Sequence, residues 1–120
     1  MSRQVEGHMM HIGEVAERTG LSLRTIRHYD EVGLLPPSGR TEGGFRLYTE
    51  PDVERLQHIR RIAPLGFTLE ETTDILRLLN GEVSEVPRED YLARAKQARD
   101  KLARKLRQSD ELIADLESGA

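Results

Sequence analysis

The stretch "SLRTIRHYDEVGLL", residues 22–35, decides the fold. Ser22 is a residue type that starts helices, because its hydroxyl accepts from an otherwise unpaired backbone N–H. Gly33 is the type that ends them, because it takes up left-handed backbone without strain. Between the two, 100° per residue sets Leu23, Ile26 and Tyr29 along one side of a helix. Arg24, His28 and Glu31 fall along the other, flanked by Thr25 and Arg27. The outward face is mostly cationic although the chain carries a formal net charge of -3, so overall charge does not explain it. Taken alone, such a face also suits a helical protein that binds nothing, and the flanking sequence has to decide.

Upstream, "HIGEVAERTG" places Ile12, Val15 and Ala16 at i, i+3, i+4 before Gly20, the pattern of a short amphipathic helix stopped by glycine. Two short helices joined by a tight turn, the second exposing Arg and His, form a helix-turn-helix signature. Downstream the chain becomes polar and glycine-rich, "SGRTEGGF", and "FRLY" alternates Phe45 and Leu47 with Arg46 and Tyr48. A two-stranded wing with Gly43 and Gly44 near its bend fits that pattern. The major groove of B-DNA admits one helix, and arginine reads guanine through paired donors. Arg24, Thr25 and His28 are placed to face base edges, while Arg27 and Tyr29, nearer the protein body, suit phosphate and sugar. Arg46 and Tyr48 add a second phosphate-contacting group and Arg40 a third; with the cap Ser22 these residues form the candidate DNA-binding set.

Composition narrows the alternatives. A chain of 120 residues, 37% hydrophobic and 32% charged, is the size of one domain with a thin core. The absence of cysteine excludes disulfides, thiolate metal sites and cysteine-based redox sensing. Apolar runs are only a few residues long and the N-terminus has no signal-peptide core, so a cytoplasmic, nucleoid-associated protein is expected, with no membrane partner. "MSRQVEGHMMHIGEV" offers more than one initiating methionine, and residues 1–10 are expected to be a disordered terminus or tag remnant outside the fold. His8 and His11 stand at i, i+3, but without cysteine or a nearby carboxylate cluster they predict no metal site. His58 reads as a structural or surface histidine. With no nucleophile and base pair, no phosphate-cradling glycine loop and no paired carboxylates in a cleft, neither an enzyme nor a cofactor is expected.

The remainder is helical. "TEPDVERLQHIRRIAPLGF" opens with Thr49 as a cap, an acidic first turn and an early proline, then sets Val53, Leu56, Ile59 and Ile62 at helical spacing before Pro64. "TLEETTDILRLLNG" repeats that grammar with Thr68 as cap, Glu71 three residues on, and a stop at Asn80 and Gly81. These two helices form a pair that completes a domain over residues 11–80. Residues 87–118 contain no glycine and no proline after Pro87, which describes one helix of roughly 45 Å. Within it Leu92, Ala95, Arg99, Leu102, Leu106, Ser109, Ile113 and Leu116 follow alternating steps of three and four, the seam of a coiled coil. The rest of the chain has no large apolar surface to cover such a helix, so a second copy is the expected partner. In a parallel pair Arg99 meets Arg99, at a desolvation cost. An antiparallel pair crossing at Arg104 instead matches Leu92 with Leu116, Ala95 with Ile113, Arg99 with Ser109, and Leu102 with Leu106.

In the order "IGEVA", "TIRHYDEVGLL", "R-L-Y" and "LGFTLEE", the segment from His11 to Leu79 resembles the DNA-binding half of MerR-type bacterial transcriptional regulators. The resemblance implies a mainly α fold: a winged helix-turn-helix domain with a helical pair and a long C-terminal dimerisation helix in an antiparallel coiled coil. It implies a homodimer on a pseudo-palindromic promoter element that untwists or kinks the DNA, with RNA polymerase on the same promoter. Arg24, Thr25, Arg27, His28 and Tyr29 match the family's recognition helix, and Arg46 and Tyr48 its phosphate-gripping wing. The sequence departs from the pattern in ending at Ala120, directly after the coil, without the cysteines of metal- and redox-sensing members or the ligand domain of drug-sensing ones. Any small-molecule effector is therefore unknown. A small apolar or anionic inducer would have to lodge between the third and fourth helices and the end of the partner's coil, near Arg60, Arg61 and Leu65, and so short a pair is expected to leave little volume beyond its own packing, which favours control by protein level and operator occupancy. Two other functions compete: a small-molecule-binding or sequestering protein with DNA contact secondary, and an adaptor whose long helix recruits a protein.

Overall fold

A computed structural model describes residues 8–119. Strand β1 (Met10–His11) leads into helix α1 (Ile12–Thr19), which Gly20 ends at φ 75°, and helix α2 (Leu23–Glu31) follows directly. Ser22 starts α2, its hydroxyl accepting from the backbone N–H of Thr25 at 3.0 Å. Strands β2 (Gly39–Arg40) and β3 (Arg46–Tyr48) form the wing hairpin, closed where Gly44, at φ 88°, donates its N–H to the Thr41 carbonyl at 2.9 Å. Helix α3 (Glu50–Ile62), a single 3-10 turn (Ala63–Leu65), helix α4 (Leu69–Leu79) and helix α5 (Arg88–Glu117) complete the chain. Thr49 and Thr68 each head a reciprocal capping box, with Asp52 and Glu71 returning the bond.

The two-stranded wing is present, and an additional strand joins it in one sheet of order β1-β3-β2, both pairings antiparallel, with Met10 opposite Tyr48 and Arg40 opposite Arg46. This corrects the boundary placed after residue 10: Met10 is fully buried in the core and belongs to the domain. Residues 1–7 of the expected N-terminal tail lie outside the described residues. His11 ends a strand and caps α1, so His8 and His11 do not share a helix face.

The core is one cluster in which α1, α2, the sheet, α3 and α4 meet, built on Met10, Val15, Ile26, Leu35, Tyr48, Leu56 and Ile59. Leu23, expected on the inner side of α2, is 39% exposed because it stands at the first helical position, before the helix reaches the core. Among the described residues, helix α5 is fastened to the body by its first turns. Tyr91 is buried and donates to Asp74 at 2.9 Å, Arg88 donates to the Leu78 carbonyl at 2.7 Å, and Arg94 sits over the Phe67 ring. Burial pushes the Tyr91 hydroxyl up to about 12, with the Asp74 hydrogen bond adding to it. From Arg99 to Gly119 every residue except Ala103 is exposed. No helix among the described residues is long and apolar enough to cross a membrane.

Candidate nucleic-acid interface

Helix α2 buries Ile26 and turns Arg24, Arg27, His28 and Glu31 to solvent, with Thr25 and Tyr29 half-buried beside them. Arg24, Thr25, Arg27, His28, Tyr29 and Glu31 together border one shallow depression on this face. Tyr29 packs its ring against the edge of the core, which fixes the side of the helix left for a ligand. The Ser22 hydroxyl donates to the Thr25 hydroxyl at 2.9 Å while accepting from its N–H. The cap thereby also orients a side chain expected to face base edges.

The wing differs from its sequence reading in two respects. Tyr48, expected to grip phosphate, is fully buried opposite Met10, and its hydroxyl has no hydrogen-bond partner among the described residues. Alternation along β3 does keep Arg46 and Tyr48 on one face, but that face is turned toward α2 and the core. Phe45, assigned to the opposite face, is 70% exposed at the hairpin. Tyr48 is therefore a core residue, and burial raises its pKa above the usual tyrosine value.

Arg40, expected to be a third phosphate group, is half-exposed and braces the wing. Its Nη1 donates to the Gly44 carbonyl at 3.0 Å across the hairpin and its Nη2 to Asp30 of α2 at 3.3 Å. Arg46 donates only its Nε to Asp30, at 2.8 Å, and among the described residues no partner occupies its Nη1 or Nη2. That hydrogen bond holds its guanidinium above the ordinary arginine value. Asp30 is thus the residue that sequence reasoning missed: it connects the recognition helix to both wing arginines. One signal was available, a carboxylate in the last turn of a helix where the dipole favours cations.

A second feature is bordered by α3, α4 and the first turns of α5. Ile62, Leu65, Phe67, Ile75, Leu79, Tyr91 and Leu92, with Arg61 and Arg88 among the other lining residues, border an open, largely apolar groove of about 350 Å³. The expectation of little volume beside the helical pair is corrected here, because the first turns of α5 line the groove without filling it. Arg61 and Leu65 line the groove, whereas Arg60 does not and is hydrogen-bonded to Gln57. His58 is half-buried and within 3.3 Å of the Arg61 guanidinium. Among the described residues no group of three or more His, Asp or Glu is placed to hold a metal ion.

Residues 10–79, from the first strand through the end of α4, match the family described as MerR HTH family regulatory protein. The chain belongs to the MerR family. It is 42% identical over 98 residues to the nodulation protein NolA of Bradyrhizobium elkanii, covering 76% of this chain and 44% of that protein. It is 36% identical over 106 residues to the HTH-type transcriptional activator mta of Bacillus subtilis, covering 88% of this chain and 38% of that protein. A crystal structure of a MerR-family transcriptional regulator from Bacillus cereus superposes with a TM-score of 0.69 at 30% identity, over 92% of this chain and 79% of that one. The chain thus spans less than half the length of these two curated MerR relatives. The winged helix-turn-helix with its helical pair and long C-terminal helix is the MerR architecture seen in that neighbour.

Proposed function

We propose that this chain is a sequence-specific DNA-binding transcriptional regulator that acts as a homodimer on a pseudo-palindromic promoter element. Helix α2 enters the major groove, with Arg24, Thr25 and His28 toward base edges and Arg27 and Tyr29 toward the backbone. Arg46 reaches a flanking phosphate from the wing. The observation that carries this reading is the juxtaposition of the exposed Arg24, Arg27 and His28 face with an Arg46 whose Nη groups lack a protein partner among the described residues. Kinship with an activator of transcription in Bacillus subtilis agrees with it.

The dimer is proposed on the exposed apolar row of α5, where Leu92, Leu102, Leu106, Ile113 and Leu116 are each 45% exposed or more. Leu112, 59% exposed, stands three residues beyond Ser109 and widens the seam. Pairing in the antiparallel sense, with Ala95 against Ile113 and Arg99 against Ser109, leaves no arginine facing its own copy in the seam, apart from the crossing near Arg104. The two α2 helices are then held at a fixed separation, so a site of different spacing must bend or untwist to meet both. RNA polymerase would share that promoter, and the protein would work in the cytoplasm.

The test is fluorescence anisotropy of the gene's own upstream DNA at rising salt. Phosphate contacts release counterions, so affinity should fall linearly in log–log form; binding that is undetectable or insensitive to salt rejects the reading. The groove beside Arg61 favours a second reading, in which an apolar or anionic effector binds there and tunes the dimer. Thermal shift against a metabolite panel separates the two, since only the effector reading predicts a ligand that raises the melting temperature without DNA.

A further inference from the structure

We infer that Asp30 is a positioning residue that aims Arg46 at the DNA backbone and trades some DNA affinity for discrimination; this rests on the DNA-binding reading above. Asp30 lies in the last turn of α2, and its side chain is only 16% exposed. Helix grammar does not account for a carboxylate there, because the partial negative charge of the C-terminal end disfavours it. Its tertiary contacts do. Oδ2 accepts from Arg46 Nε at 2.8 Å and from Arg40 Nη2 at 3.3 Å, so one oxygen ties both wing strands to the recognition helix.

The geometry divides the labour between the two arginines. Arg40 donates from both Nη atoms within the protein, to Asp30 and to the Gly44 carbonyl, and so braces the hairpin. Arg46 is held by its Nε edge, and an arginine so held presents Nη1 and Nη2 as a fixed pair of donors, the arrangement that suits a phosphate. Fixing the guanidinium before contact removes rotamer freedom that would otherwise be lost on binding. The carboxylate also offsets one positive charge beside the phosphates, which lowers attraction to any duplex regardless of sequence. Asp30 should therefore weaken non-specific binding while sharpening the register of α2 against the wing.

The experiment measures the full chain and its Asp30→Asn and Asp30→Glu variants by fluorescence anisotropy, on the operator and on an unrelated duplex, across a salt series, with thermal melts alongside. For Asp30→Asn, tighter non-specific binding is expected, with the log–log salt slope steeper by about one per half-site. The ratio of specific to non-specific affinity should fall roughly ten-fold, the scale of one charge-assisted hydrogen bond. Asp30→Glu keeps the charge and should keep the wild-type slope. Equal weakening on both duplexes with an unchanged slope in Asp30→Asn would show a merely structural residue and overturn the inference, whatever the melting temperature. If wild-type protein itself shows no salt-dependent binding, the DNA reading fails and the inference with it. If wild type binds and Asp30→Asn behaves identically, only the inference fails.

Discussion

Arg94 of α5 forks onto Glu71 of α4, its Nη1 donating to Oε2 at 2.7 Å and its Nη2 to Oε1 at 3.2 Å. The same Oε1 accepts the backbone N–H of Thr68 at 2.8 Å, so one carboxylate both closes the cap of α4 and anchors the long helix. The Arg94 guanidinium, aided by the Thr68 backbone N–H, holds Glu71 at about 2, well below its ordinary 4.5. A depressed carboxylate pKa stabilises the fold above the unfolded value and loses that contribution as pH falls through the folded one. Glu71→Gln should accordingly melt below wild type at pH 7, with the gap closing between about pH 4.5 and pH 2. The shift is small because the pair is exposed to solvent. An equal gap at both ends of that window would show that charge is not involved.

Tyr48 provides a test in the opposite direction. Its buried hydroxyl is unpaired among the described residues, so Tyr48→Phe removes a polar group that contributes nothing visible to the fold. Stability should hold or rise by up to about 1 kcal/mol in chemical denaturation, and DNA affinity should not change. A loss of affinity with stability intact would return Tyr48 to the phosphate-contacting set.

On DNA itself, Arg24→Ala should mainly erode discrimination, by roughly 1 to 3 kcal/mol between operator and mutated operator. Arg46→Ala should weaken both specific and non-specific duplexes and make the salt slope shallower by about one per half-site. Competition titrations on matched duplexes distinguish the two patterns, and identical behaviour of the variants would contradict the division between groove and backbone contacts.

For assembly, Leu102→Asp combined with Leu106→Asp should yield monomers in sedimentation velocity, because two charges would be buried in the middle of the seam. Operator binding should be lost with the dimer, since paired half-sites need paired helices. Direction is read separately with Arg99→Cys and Ser109→Cys in one chain: disulfides joining 99 to 109 support the antiparallel crossing, and 99 to 99 would overturn it.

What was legible in the sequence was local chemistry. Ser22, Thr49 and Thr68 each cap through a bond to a neighbour three residues on, and Gly20 and Gly33 end helices through their own left-handed backbone. Short-range rules therefore placed the helices and the exposed face of α2. Apart from Leu23, exposed because it opens α2, the misreadings depend on distant partners. Strand β1 is two residues long and exists only because Tyr48 and Leu47 pair with it. The burial of Tyr48 follows from which face of β3 meets the core, which alternation alone does not decide. Asp30 gains its meaning from Arg46, 16 residues away, and the groove beside Leu65 from Tyr91 and Leu92 of α5, which line its far side.

The central claim is that a dimer of this chain reads two half-sites with paired α2 helices, and hydroxyl-radical protection of the gene's upstream region tests it most directly. The account predicts protected backbone patches related by two-fold symmetry over an inverted repeat, their centres about 34–36 Å or a multiple of that apart along the duplex. Arg46→Ala should thin the flanking patches without moving their centres. A duplex left uniformly cleaved at protein concentrations where sedimentation shows the dimer, or protection spread evenly along any sequence, would contradict the claim.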